Sequence, residues 1–199
     1  MNRVTTSFGP RMAGSTKILL VSGSLRMKST NTAVLRTARS LAPIDIDATL
    51  YHGLVDLPHF NPDDDRDPLH PAVESLRTEI RRADALLFST PEYAGALPGS
   101  FKNVLDWMIG DDQVGSVYEK PVAWINASPR GAVLAHESLR KVLGYAGAVI
   151  VEAACVHTPV IAASVGDDGL ISDPGIRVHI ADALVRLADH VARERVATR

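Results

Sequence analysis

Between residues 17 and 31 (KILLVSGSLRMKSTN) an unbroken apolar run gives way at once to small, hydroxylated and basic residues. Lys17 to Val21 is short, continuously apolar and bounded by turn formers, as a central strand must be when helices cover both faces of an α/β sheet. The loop that follows sets Ser22, Gly23, Ser24, Ser29, Thr30 and Asn31 ahead of a helix with apolar positions Val34, Leu35, Ala38 and Leu41. A helix start supplies unpaired N–H groups and partial positive charge, and Arg26 adds a guanidinium, so this stretch reads as an anion cradle for a phosphate. It carries neither the GxxxxGK(S/T) of a triphosphate loop nor the GxGxxG of a dinucleotide loop. Hydroxyls in place of packed glycines suit a terminal monophosphate wrapped on three oxygens rather than a pyrophosphate passing a helix. The other reading is an ordinary strand-to-helix turn with good caps.

The rest of the chain alternates strand and helix. Ile44 to Tyr51 has period-two alternation and reads as an edge strand. Residues 52 to 70 hold three prolines and an acidic cluster (Asp63, Asp64, Asp65, Asp67) with His59 and His70, lack the spacing of a calcium or zinc site, and read as a solvated surface loop. Pro71 opens a helix through Val73, Leu76, Ile80 and Ala83, which leads into a buried-type strand from Ala85 to Thr90. PEYAGALPGS (91 to 100) then joins that strand to a helix through Phe101, Val104, Leu105 and Met108. A stiff loop poor in side chains at a strand's carboxyl end can offer backbone groups to a flat heterocycle. Pro121 to Ala127 reads as a fourth strand, followed by the small-residue loop Ser128-Pro129-Arg130-Gly131 and a further helix, and Ala148 to Val156 as a fifth. A last helix starts at Asp173-Pro174. Five strands alternating with helices imply a doubly wound five-stranded parallel sheet with helices on both faces.

Length and charge narrow the function. At 199 residues and 46% hydrophobic content the chain makes one domain (16–199) behind a leader (1–15) expected to be disordered. A net charge of −2 without a basic run argues against nucleic acid, and no apolar stretch is long enough to span a bilayer. The lone Cys155 cannot form an internal disulfide, is expected in the core, and fits a cytoplasmic protein.

GSLRMKSTN, PEYAGALPGSFKNVLDW and SPRGA before ESLRKVLGYAGA, in that order over residues 17 to 157, resemble the NADPH-dependent FMN reductase family, flavodoxin-like NAD(P)H:quinone, chromate and azo-dye reductases. The resemblance implies a flavodoxin-like sheet in the order 2-1-3-4-5, non-covalent FMN, NADPH or NADH as reductant, and a homodimer or tetramer. It puts the FMN phosphate on Ser24, Arg26, Ser29 and Asn31, the isoalloxazine edge against Pro91, Glu92, Tyr93 and Ala94, and Ser128 and Gly131 near its other side. It implies hydride transfer from the nicotinamide to the flavin and on to a small acceptor (a quinone, free flavin, azo compound or metal oxyanion) by a ping-pong course, with no catalytic side chain and no metal. Glu92 and Tyr93 shape the surface under the ring. A flavodoxin-like one-electron carrier is the alternative, though such carriers are usually strongly acidic. A flavin-free regulatory module would need paired acids where Ser22-Gly23-Ser24 stands.

Three smaller expectations follow. Lys102 and Asp106 form an i,i+4 pair rather than a catalytic couple. His136 occupies a solvated helix position. Trp107, Met108 and Tyr118 flank the site and offer an aromatic interface for a second copy, and substrate specificity goes with the 110 to 120 stretch.

Overall fold

Ile18 and Leu20 enter one hydrophobic core and Leu19 and Val21 another, which accounts for the unbroken apolar run of the first strand. The computed structural model describes residues 15–197. In it, this strand is β1 (Thr16–Ser22), paired in parallel with β2 (Ile46–Leu50) and β3 (Ala85–Ser89). β4 (Pro121–Asn126) pairs with β3 and, on its other side, with β5 (Val149–Ile150) and β6 (Val156–His157). The parallel order is β2-β1-β3-β4-β5, with β6 on β4. α1 (Thr30–Leu41) and α5 (Pro174–Ala197) cover one face, and α2 (Pro71–Arg82), α3 (Gly99–Ile109) and α4 (Val133–Tyr145) the other. Except for Ser15, the expected leader lies outside the described residues. Among these, no helix is long and apolar enough to cross a membrane.

The fifth strand departs from expectation: it breaks into β5 and β6 around a 3-10 turn at Glu152–Ala154. Alanines are weak strand formers, and Glu152 turns outward to meet both guanidinium nitrogens of Arg140 on α4, while Cys155 N–H closes the turn on Glu152 O at 3.0 Å. Cys155 is only half-buried, packed against both cores, and burial pushes its thiol up to about 11.

The 52–70 segment is less solvated than its composition implies. It contains two short 3-10 turns and is fastened to α3: Phe60 N–H donates to Asn103 Oδ1 at 2.7 Å, and Asn103 Nδ2 and Trp107 Nε1 donate to Pro58 O at 2.8 and 2.9 Å. Its Asp65 leaves the acidic cluster to meet Arg77, buried to 4% exposure, at 2.8 Å, and Arg77 Nε donates to Trp107 O at 3.0 Å. Removing one member of such a pair strands a buried charge. Asp65→Ala is expected to cost on the order of 3 kcal/mol in urea unfolding, and Asp65→Asn, which keeps an acceptor, distinctly less. Equal midpoints for wild type and Asp65→Ala would show that the pair holds nothing together.

Candidate active site

At the carboxyl ends of β1, β3 and β4 three loops converge on one cleft of about 250 Å³. A larger cavity of about 480 Å³, between α2 and the edge strand β2, has no part of these loops in its walls.

The first loop is shaped by its own hydroxyls. Ser22 Oγ lies 2.8 Å from Thr32 Oγ1 and accepts Ser24 N–H at 3.3 Å, and Ser24 Oγ accepts Arg26 N–H at 3.3 Å. Ser29 caps α1, its Oγ accepting Thr32 N–H at 3.4 Å. Within the described residues the N–H groups of Thr30 and Asn31 find no acceptor, as the first turn of a helix dictates. Asn31 is buried, its side-chain amide 2.9 Å from the Ser89 hydroxyl, which itself donates to Ile125 O at 2.7 Å. Gly23 is obligatory for packing: a Cβ there would stand 2.4 Å from Thr90 Oγ1 and 2.9 Å from Phe101 Cγ. The result is a set of donors facing no acceptor of the chain, with the Arg26 guanidinium beside them.

The second loop is a tight turn. Tyr93 and Ala96 exchange backbone hydrogen bonds of 3.0 Å in both directions, with Ala94 (φ 50°) and Gly95 (φ 70°) at its centre. The Tyr93 side chain stays largely exposed. Glu92 reaches across the cleft, its Oε2 accepting Ala135 N–H at 3.0 Å. α4 has no acid in its first turn and no side-chain cap of its own, since Ala132 occupies the cap position in the left-handed region. The carboxylate of one wall therefore caps the helix of the other.

The third loop is pinned from below. Asn126 Nδ2 donates to Gly131 O at 2.5 Å and its Oδ1 accepts Ser128 N–H at 3.0 Å. His157 Nε2 and His136 Nδ1 lie 2.8 Å from Ser128 O and Ala132 O. His136 is not solvated: α4 turns it under the Trp124 ring, at 8% exposure, and burial holds its pKa below the usual histidine range. A neutral ring that donates from Nδ1 fits this setting, and it serves the loop rather than a nucleophile.

Of the residues singled out in the sequence, Ser24, Arg26, Ser29, Asn31, Pro91, Glu92, Tyr93 and Ser128 share the cleft's walls. Ala94 and Gly131 stand one step back, supplying positive-φ turns. Thr30, Pro129, Arg130 and Ala132 also line it. Arg130 sat between Pro129 and Gly131 at a strand end and could have been named from that position. Asn126, His136 and His157 gave no such signal, because the strand and helix pattern explains each of them without a site. Lys102 and Asp106 do pair. The expected aromatic flank fails: Trp107 and Met108 are buried in the core, since α3 runs antiparallel to the strands and carries them away from the cleft. Tyr118 and the 110–120 stretch precede β4, at the amino ends of the strands and opposite the cleft, so neither lines it.

The model of the family described as NADPH-dependent FMN reductase matches residues 16–162. An NAD(P)H-dependent FMN reductase of Pseudomonas aeruginosa is 43% identical over 96 residues, which span 48% of this chain and only 51% of that protein. A quinone reductase of Escherichia coli K12 is 28% identical over 93% of this chain and 100% of its own length. Among solved structures, the flavoenzyme NAD(P)H:(acceptor) oxidoreductase FerB of Paracoccus denitrificans superposes with a TM-score of 0.73 at 28% identity, covering 89% of this chain and 98% of that one.

Proposed function

The chain belongs to the NADPH-dependent FMN reductase family, and from that premise we propose that it is a cytoplasmic FMN-dependent NAD(P)H oxidoreductase. The observation that carries this reading is the convergence on one cleft of unpaired α1 donors, Arg26 and the backbone turn 91–96. A monoanionic or dianionic phosphate matches the donors, which would otherwise face only water. A flat ring matches the turn. Ser24, Arg26, Ser29 and Asn31 hold the phosphate, Pro91, Glu92, Tyr93 and Ala94 support the ring edge, and Ser128 and Gly131 close its other side. Bound FMN supplies the capacity to take up a hydride and pass it on. The chain's own part is to orient the ring through fixed turns, to hold the 128–132 loop with His136 and His157, and to keep one face open. Reductant and acceptor then use that face in turn, a ping-pong course. Quinones are the favoured acceptor class because several relatives are named for them. Free flavins, azo compounds and metal oxyanions fit the same open face.

The test is the absorption spectrum of purified protein before and after anaerobic NADPH or NADH. A yellow protein that bleaches on addition of either and recovers its colour with a quinone is the expected result. A colourless protein that takes up no added FMN removes the reading, and a yellow one that neither reductant bleaches is an electron carrier instead. We further propose a homodimer or tetramer, supported now by exposed Val133, Leu134 and Tyr145 on α4 rather than by Trp107 and Met108. Sedimentation at micromolar concentration is expected to give at least twice the 21.4 kDa chain mass; a monomer there overturns it.

A further inference from the structure

A cavity of about 300 Å³ adjoins the flavin cleft and shares Ser24 and Arg26 with it. Its wall gathers three of the chain's exposed apolar side chains, Leu25 (53%), Met27 (94%) and Val55 (69%). Arg36 lines this cavity and also the next one, of about 360 Å³, where Arg39 joins it and His52 is again shared. A continuous path therefore runs from the flavin cleft across an apolar platform to two exposed arginines on α1.

The charge on this path is surplus. Residues 18 to 44 contain Arg26, Lys28, Arg36 and Arg39 and no acid, in a chain whose net charge is −2. Among the described residues none of the Arg26, Arg36 and Arg39 guanidiniums has a carboxylate partner, while most other ion pairs in the molecule involve an arginine. The Arg36 guanidinium lies over Gly169, next to Asp168, whose Oδ1 accepts Leu170 N–H at 3.0 Å, and no ion pair joins the two. FMN has one phosphate, and the cradle with Arg26 satisfies it. Arg36 and Arg39 are left with no anion to meet among the described residues, and Leu25, Met27 and Val55 with no apolar cover. A purine stacks readily on thioether and branched side chains, and guanidiniums match phosphate oxygens in pairs.

We propose that the Leu25–Met27–Val55 platform seats the adenine of the reductant and that Arg36 and Arg39 bind the 2′-phosphate that NADPH carries and NADH lacks. The inference rests on the flavin reading of the neighbouring cleft and adds to it the choice of reductant. Arg36 and Arg39 are exposed and bear no structural hydrogen bond, so their replacement leaves the helix intact.

The test uses FMN-loaded protein. Adenosine 2′,5′-bisphosphate is titrated by calorimetry, and kcat/KM is measured with NADPH and with NADH, for wild type, R36Q/R39Q and R193Q, the last removing an exposed arginine of α5 as a charge control. The bisphosphate is expected to bind wild type and R193Q alike and R36Q/R39Q at least about tenfold more weakly. The NADPH to NADH ratio of kcat/KM is expected to fall about 10- to 100-fold in the double variant, the size of one to two charge-assisted contacts. Met27→Glu, which sets a carboxylate on the platform, is expected to weaken the bisphosphate as well. No binding to wild type, undiminished binding to R36Q/R39Q, or an unchanged ratio overturns the proposal. FMN titration of the same preparations keeps the two readings apart. A wild type that fails to hold FMN defeats the flavin reading, whereas one that holds FMN and ignores the bisphosphate defeats only this one.

Discussion

Arg26→Ala is expected to weaken FMN binding about 10- to 150-fold, because it deletes a charge-assisted hydrogen bond that contributes ~1.5 to 3 kcal/mol. The side chain is exposed and pairs with no carboxylate among the described residues, and the loop is held through the Arg26 backbone N–H to Ser24 Oγ. The substitution therefore removes a ligand contact while the cradle keeps its shape. Arg26→Lys, which keeps the charge and loses the planar fork, is expected to fall between alanine and wild type. Apoprotein titrated with FMN and followed by flavin fluorescence reads all three. An alanine variant that titrates as wild type does would take this loop out of the site. A steep fall of wild-type affinity with ionic strength, flattened in the alanine variant, would tie the loss to charge rather than to shape.

How the chain announces this arrangement differs from part to part. The β1 run and its loop were legible because two constraints coincide there: burial on both faces demands a continuous apolar strand, and a helix start demands hydroxyl caps. The order of elements followed from their alternation, and the sheet order from family resemblance. What stayed hidden depends on contacts across the fold. Asp65 looks like one more acid in a polar loop until α2 brings Arg77 beneath it. His136 shares the buried stripe of α4 with Leu139 and Leu143, three and seven residues on, and the Trp124 ring packs against it, although the residue type alone suggests a solvated position. Trp107 and Met108 lie near the cleft in sequence but not in space, because a helix of eleven residues carries the chain back towards the amino ends of the strands. The break between β5 and β6 turns on Glu152 finding Arg140, a pairing twelve residues apart that no local pattern encodes.

Glu92 is the residue on which chemistry and architecture make opposite predictions. It stands on the loop beside the proposed ring, where a general acid or base would be sought, and such a group contributes ~10² to 10⁴ in rate. Its carboxylate is already engaged, accepting Ala135 N–H at 3.0 Å at the start of a helix that has no cap of its own. The hydrogen bond ties the 91–96 turn to α4, so the carboxylate already has a structural task. Glu92→Gln keeps an oxygen acceptor for Ala135 N–H, so the rate of flavin reduction by NADPH is expected to stay within roughly tenfold of wild type. Glu92→Ala removes the acceptor and frees the two walls from each other. It is expected to weaken FMN binding about 10- to 150-fold, the scale of a lost hydrogen bond to a charged group. Rapid mixing resolves flavin bleaching, and equilibrium titration resolves FMN affinity, so position and proton transfer are measured separately. If Glu92→Gln holds FMN normally and yet reduces a thousandfold more slowly, the carboxylate moves a proton and the capping account of Glu92 falls. If Glu92→Ala binds FMN as wild type does, the tie between the walls is not what shapes the cleft. The pair of variants thus separates a side chain that shapes the site from one that reacts in it, because only the first role survives exchange of carboxylate for amide.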